Sequence, residues 1–239
     1  MSPTAIETPR SPVPTGCRPR TARAAPAGWR GLAGSLLACL ILGSGHARAD
    51  DAAPPPQRIG TIERLTGAAA RERDGTVQAL SKRAAVFKHE RITTGPGAAL
   101  LLSLIDATVI SLGENGALTV EDYVYSPGAR GVAIIDVEQG AFRMITGNMG
   151  KLFERRMEVR TPLATLSIRG TDFWAGPIAG RQSVVVLRGR VEVRNDAGFV
   201  VLDRKWQGTF LSSRVVPPSR PELWEASSKS ALATTMPFN

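Results

Sequence analysis

Residues 161–174, TPLATLSIRGTDFW, place a cation inside a segment that is otherwise typical of a β-strand. The guanidinium of Arg169 offers a planar set of donors that suits a carboxylate or backbone carbonyls, and Gly170 permits backbone conformations that other residues avoid. The arginine could bind an anionic ligand, or it could lock a turn by pairing with an acid such as Asp106 or by bonding carbonyls. We favour the structural role, because structural ion pairs commonly imitate functional sites. The candidates for a structural or binding role are Thr161, Pro162, Arg169, Gly170, Thr171 and Asp106.

Groups suited to catalysis or metal binding are scarce elsewhere. Residues 50–239 contain one histidine, His89, and no cysteine, whereas zinc sites need three or four convergent ligands. Glu121 and Asp122 are adjacent, so in a strand they point to opposite faces and cannot act together across a cleft. The segment 146–151 lacks the full spacing and the hydroxyl residue of a phosphate loop. The sequence therefore predicts a protein that is not an enzyme and holds no metal or cofactor.

Two further features could contact a partner. Residues 151–156, KLFERR, are basic with one aromatic side chain and could touch an anionic partner, although a solvated loop or short helix is the preferred interpretation. Tryptophan can stack on sugars or pack in a core. We expect Trp174 to pack in the core, and we treat Trp224, in the C-terminal tail, as a candidate contact residue.

The first 49 residues have the layout of a secretory signal peptide. A basic segment is followed by the apolar run 31–45 and then by Ala47-Arg48-Ala49. We predict cleavage between Ala49 and Asp50 and a periplasmic or secreted location. The apolar run is shorter than the about 20 residues that span a bilayer, so we do not expect an integral membrane protein after cleavage. A lipoprotein site at Cys39 is the less favoured alternative, because the apolar run continues beyond it.

Removing this leader changes the charge of the protein. Six arginines and one acid of the chain's 30 Lys and Arg and 21 Asp and Glu lie in it, which leaves 24 basic and 20 acidic residues. These are interspersed, so the sequence argues against a nucleic-acid partner. Both cysteines, Cys17 and Cys39, lie in the leader. An exported chain without disulfides must then be held by its hydrophobic core.

Short apolar or alternating runs separated by turn residues fill the chain from Arg58 to about residue 212. Asp74-Gly75 is a typical hairpin turn, and the run 190–194 alternates cleanly, with Val191 and Val193 facing inward. This pattern predicts an all-β fold of short, antiparallel-rich strands, either a sandwich or a short β-solenoid-like domain. A short C-terminal helix could begin at Pro221. The predicted segments are a signal peptide (1–49), a Pro-rich linker (50–57), the all-β domain (58–216) and a C-terminal tail (217–239).

The domain resembles the FecR family of periplasmic modules. The pieces that carry the resemblance are residues 60–67 leading to 92–95 with Ala98 and Ala99, residues 106–113, Gly140-Ala141-Phe142-Arg143, and residues 161–173 followed by 188–193. Ala107 stands where the family usually has glycine, so its turn must tolerate alanine. Complete regulators of this type carry a cytoplasmic sigma-factor-binding region and a membrane helix before the domain. Neither is recognisable in residues 1–49, so the resemblance implies an exported stand-alone domain and does not carry over anti-sigma activity.

From the resemblance and the missing catalytic groups we predict an interaction or sensing module of the cell envelope. Its partner would be an envelope protein, and addition of a partner strand to a sheet edge is one mode of binding. The alternative is a carbohydrate- or peptidoglycan-binding module that uses tryptophan and arginine side chains.

Overall fold

The structure is a computed structural model that describes residues 56–225 together with Leu232 and Phe238. The predicted signal peptide with its cleavage site at Ala49 and Asp50, Cys39, and most of the linker lie outside the described residues. The limits of the predicted segments therefore remain predictions.

Almost all of the described chain is strand, as the alternating runs predict. The strands are β1 (Arg58–Thr66), β2 (Ala69–Arg73), β3 (Thr76–Ala79), β4 (Ala85–Phe87), β5 (Arg91–Thr94), β6 (Ala99–Leu104), β7 (Val109–Leu112), β8 (Ala117–Tyr125), β9 (Arg130–Gln139), β10 (Phe142–Ile145), β11 (Glu154–Arg160), β12 (Thr165–Ile178), β13 (Arg181–Asn195), β14 (Gly198–Leu202), β15 (Gln207–Leu211) and β16 (Glu222–Leu223). A single turn of 3-10 helix, Asn148–Lys151, precedes β11.

The strands form one curled, open sheet that resembles half of a barrel. Its main path runs β3-β2-β5-β8-β9-β11-β12-β10-β7-β6-β1-β4, and β13 joins β12, β14 and β15 to it. The described strand pairs are antiparallel apart from β9 with β11, which is parallel. The prediction of an all-β, antiparallel-rich fold is confirmed, and the choice between sandwich and solenoid is replaced by this curled sheet.

A long hairpin, β12 and β13, is the centre of the architecture. Its turn places Ala179 and Gly180 at φ values of 48° and 76°, the conformation that two-residue hairpin turns require. One edge of β12 pairs with β13 from end to end. The other edge pairs with β11 over residues 165–167 and with β10 over residues 172–175. The hairpin therefore connects the part of the sheet that contains β11 with the part that contains β10. The Arg-Gly-Thr motif lies between the residues of β12 that pair with β11 and those that pair with β10.

The core lies on one face of this hairpin, and a smaller apolar cluster lies on the other. Phe173 and Val184 belong to the main core, whereas their neighbours Trp174 and Val185 point the other way and pack against Trp224. Burial of both faces explains the unbroken apolar run in this part of β13. The outer face of the hairpin is thus covered beside Trp174, as expected for that residue.

Several local predictions can be compared with the structure. Asp74 and Gly75 adopt φ values of 51° and 73° in the predicted hairpin turn. Most of the strand-like segment 161–174 lies in β12, which continues to Ile178. The C-terminal helix was predicted from Pro221, but Glu222–Leu223 form strand β16. Further along the tail Leu232 is helical, and most of the residues around it lie outside the described part. Within that part, no helix is both long and apolar enough to cross a membrane.

Candidate functional site

The Arg-Gly-Thr motif forms a bulge in the middle of the long hairpin. The pairing register of β12 and β13 shifts between Arg169 and Asp172. Gly170 and Gly189 face each other there with φ values of 63° and 88°. A Cβ atom at Gly189 would lie 2.3 Å from the carbonyl oxygen of Gly170. The motif interrupts the strand because the chain must insert extra residues here while both strands remain in the sheet.

Thr171, not Arg169, fastens this bulge. Its side chain is buried and its Oγ1 donates to the carbonyl oxygen of Arg190 at 2.8 Å. Its backbone N–H donates to Oγ1 of Thr146 at 2.8 Å, and the N–H of Thr146 donates back to the carbonyl oxygen of Thr171 at 2.9 Å. These three bonds tie β12 to β13 and to the end of β10.

The structure does not form the expected pair between Arg169 and Asp106. The Arg169 side chain is exposed on the outer face of β12 and has no ion pair or hydrogen bond to the residues that the structure describes. Asp106 is fully buried in the loop between β6 and β7. A buried aspartate needs hydrogen-bond donors close to it, and the neighbouring chain supplies them without an arginine.

Asp106 is the acceptor at the centre of a buried network. Its Oδ1 accepts from the hydroxyl of Tyr123 at 2.8 Å, and its Oδ2 accepts from Oγ1 of Thr108 at 2.7 Å and from the N–H of Met149 at 3.1 Å. The N–H of Asp106 donates to the Tyr123 hydroxyl oxygen at 3.2 Å. Burial, with the hydrogen bond to Asp106 and its charge, raises the pKa of Tyr123 far above its ordinary value. The sequence pointed to Asp106 but not to Tyr123 and Met149, which are distant from it along the chain.

Next to Asp106, Ala107 has a φ of 64°. This left-handed conformation is the one that glycine adopts most readily, and Ala107 is the position where the resembled family usually has glycine.

The ion pair that the motif does form joins Asp172 to Arg143. The guanidinium donates from Nε to Oδ1 and from Nη2 to Oδ2, each at 2.9 Å. Both side chains are largely buried, and these hydrogen bonds raise the pKa of Arg143 above its ordinary value. Sequence analysis missed this pair. A signal for it in the sequence was the opposite charge carried by the two strands, an arginine in β10 and an aspartate in β12. Once these strands pair, Arg143 lies opposite Trp174, two residues from Asp172.

On the open part of the outer face, strands β11, β12 and β13 form a groove of about 660 Å³, which we call the arginine groove. It lies beside the bulge on the side away from Trp174. Arg169 and Arg190 are direct cross-strand partners in it. Its lining residues are Arg155, Arg156, Met157, Glu158, Ser167, Ile168, Arg169, Arg190 and Glu192.

Some charged side chains of the arginine groove have ion-pair partners, and others have none among the described residues. Arg156 pairs with Glu158 at 2.7 Å, which raises the pKa of Arg156, and Glu192 pairs with Arg194 at 2.8 Å. Arg169 and Arg190 have no ion pair or hydrogen bond from their side chains within the described residues. Like charges directly opposite each other destabilise a sheet. The guanidinium groups of these two adjacent arginines are therefore available to bind an anionic group.

An aromatic residue stands at one end of the arginine groove. Phe153 is 98% exposed, and with Arg155, Ile168 and Arg169 it borders an adjoining space of about 310 Å³. Arg155 also donates to the carbonyl oxygen of Leu152. Phe153 and Arg155 belong to the basic segment 151–156, for which the sequence favoured a solvated loop or short helix and contact with an anionic partner was the alternative.

Thr161 and Pro162 lie elsewhere. Thr161 closes the loop between β11 and β12. Its Oγ1 donates to the carbonyl oxygen of Ala164 at 2.9 Å, and the N–H of Ala164 donates to the same Oγ1 at 3.1 Å. Both residues border a separate, mostly apolar cavity of about 290 Å³ that also contains Phe142 and Val184. The six candidate residues are thus divided among the bulge, the buried Asp106 network and this cavity.

Neither Trp224 nor His89 lies in the groove. Trp224 is only 6% exposed and stacks on Phe210 with ring centroids 5.7 Å apart, so little of its ring can reach a ligand. The His89 side chain is 63% exposed and lies 3.9 Å from Glu121. Within residues 56–225, no group of three or more His, Cys, Asp or Glu side chains could hold a metal ion.

The central part of the chain is similar to a known protein family. No curated protein matches the sequence. Two crystal structures described as a "putative anti-sigma factor" from Parabacteroides distasonis ATCC 8503 are 17% identical to it, each with a TM-score of 0.48 over 59% of this chain. The chain covers 63% and 62% of those two chains. The model of the family described as FecR protein matches residues 90–192. That range contains the bulge and every lining residue of the arginine groove, so this part of the chain is similar to the FecR family.

Proposed function

We propose that this protein is a non-enzymatic FecR-type module that binds a protein partner in the cell envelope and serves sensing or signalling there. The family match supports the type of module. The observation that carries the proposal is the pair Arg169 and Arg190, which lie opposite each other in the groove and whose side chains have no ion pair or hydrogen bond among the residues that the structure describes. An anionic group on a second protein would supply the missing acceptors through charge-assisted hydrogen bonds.

The surface is suited to recognition because its scaffold is rigid. Arg169 and Arg190 lie on paired strands, and the bond from Thr171 to the carbonyl oxygen of Arg190 holds the backbone between them. Binding groups placed on such a scaffold lose little conformational freedom when a partner arrives. The exposed Phe153 adds the kind of aromatic side chain that is enriched at protein interfaces.

The location that we propose rests on residues outside the described part. The basic segment, the apolar run 31–45 and Ala47-Arg48-Ala49 before Asp50 favour export by a signal peptide. The mature protein would then act in the periplasm or outside the cell. Carbohydrate binding gains no support from Trp174 and Trp224, because both are buried.

The test is capture of the partner from intact cells. The full chain with a C-terminal tag is cross-linked in cell envelopes, recovered and analysed by mass spectrometry. We expect the same discrete envelope or secreted protein in each preparation. Recovery of the tagged protein alone, or of the tagged protein with peptidoglycan fragments, would contradict the proposal.

A further inference from the structure

We propose that the arginine groove receives an extended acidic segment of the partner. Arg169 and Arg190 together hold one side-chain carboxylate of that segment, and Phe153 contacts one of its apolar side chains. This inference rests on the proposed function and specifies what the partner presents to the groove.

The clamp follows from the cross-strand geometry. Direct partners in an antiparallel pair have Cβ atoms roughly 4.5–5.5 Å apart, and both side chains here are exposed on the same face. Each carboxylate oxygen can accept from a different guanidinium, so a single Asp or Glu side chain can satisfy both arginines. Such a carboxylate also removes the repulsion between the two cations.

A second row of charges determines which anion fits. Glu158, Ser167 and Glu192 lie side by side on the three strands, two residues along from the arginine row, roughly 7 Å away. A phosphate polymer or a uniformly anionic lipid surface would bring negative charge against these two glutamates. Both glutamates already have ion-pair partners, Arg156 and Arg194. A peptide can present one acid to the arginine row and an uncharged Ser or Thr to the glutamate row, so this arrangement favours a peptide.

Size and shape agree with a short peptide segment. The groove of about 660 Å³ and the adjoining space of about 310 Å³ share Arg155, Ile168 and Arg169. Spaces of this size hold several side chains. Since Phe153 borders the adjoining space, an apolar side chain of the segment would pack there while its acid reaches Arg169.

The probe is an array of capped seven-residue peptides, each with a single Asp or Glu, beside the same array with Asn or Gln in that position. The purified protein, produced from the full chain, is applied to both, and the strongest peptide is then titrated in solution. We expect acid-dependent binding that weakens about tenfold in Arg169→Gln and in Arg190→Gln, since a charge-assisted bond is lost. Phe153→Ala should weaken it severalfold. Arg204→Gln, which removes an exposed arginine outside the groove, should leave it unchanged.

The same binding measurements can also contradict the inference. The inference would be overturned if the neutral peptides bound as well as the acidic ones, or if Arg204→Gln weakened binding as much as the groove variants did. It would also be overturned if the protein bound polyphosphate or anionic phospholipid vesicles in place of the acidic peptides. Loss of folding is not expected to obscure the result, because Arg169, Arg190 and Phe153 are exposed. If a discrete partner is still captured from envelopes while no acidic peptide binds, the proposed function stands and only this inference fails.

Discussion

Alanine at Gly189 should destabilise the protein much more than alanine at Gly170, although both glycines have positive φ. At Gly170 the nearest atom to an added Cβ is 3.8 Å away, so the change costs only the left-handed conformation, roughly 1–2 kcal/mol. At Gly189 the Cβ would lie 2.3 Å from the Gly170 oxygen and 2.9 Å from Thr171 Cα. Both are backbone atoms that cannot rotate away, and overpacking of this kind adds roughly 1–3 kcal/mol.

The assay is equilibrium denaturation of wild type and the two variants, followed by tryptophan fluorescence and circular dichroism. An added loss of about 2 kcal/mol corresponds to a melting temperature about 4–8 °C lower for a domain of this size. We therefore expect Gly189→Ala to melt at least several degrees below Gly170→Ala. Equal losses in the two variants would refute the argument that the bulge is a close backbone contact between β12 and β13.

Three further substitutions test other parts of the structure. Tyr123→Phe removes a hydroxyl that donates to buried Asp106 and accepts from its N–H; we expect a loss of about 2–3 kcal/mol by denaturant titration. Arg91 lowers the pKa of Glu138 through a hydrogen bond, so Glu138 stabilises the fold above its unfolded pKa, and this contribution disappears as the pH falls through the folded pKa. Because that pair is largely exposed, Glu138→Gln should lose less than about 1 kcal/mol at neutral pH and nothing in acid. Ala107→Gly should raise the stability by about 0.5–1 kcal/mol, because glycine relieves the positive φ.

Each of these expectations has a contrary result. Unchanged stability in Tyr123→Phe would mean that the Asp106 network contributes little. If Glu138→Gln still lowers the free energy of unfolding in acid, the loss comes from packing and not from the charge of Glu138. A lower melting temperature for Ala107→Gly would show that the turn is not strained by alanine.

Local signals in the sequence predicted most strands and turns. Asp74-Gly75 was recognisable because the turn type requires residues that accept positive φ. The alternation in 190–194 placed Val191 and Val193 in the core, where both are fully buried. These features depend only on neighbouring residues, so one sequence is enough to find them.

Features that depend on pairing between distant strands were not predictable. The partner of Asp106 is Tyr123, 17 residues away, and that of Asp172 is Arg143, 29 residues away. The opposition of Arg169 and Arg190 depends on β12 and β13 resuming the same register on both sides of the bulge, which the local sequence pattern did not reveal. The hypothesis that Arg169 locks the turn, by pairing with an acid or by bonding carbonyls, came from its residue type, whereas in the structure its side chain lines the groove.

The central claim is that the arginine groove is the surface that meets the partner. Its most direct test places a photo-crosslinking amino acid at Ser167, an exposed residue of the glutamate row that lies two residues from Arg169, and a control at exposed Lys205 outside the groove. We predict that irradiation of intact cells gives an adduct with one discrete protein from Ser167 and none from Lys205, and that replacing Arg169 and Arg190 by Gln together abolishes it. An adduct from Lys205 alone, or an adduct at Ser167 that survives loss of both arginines, would contradict the claim.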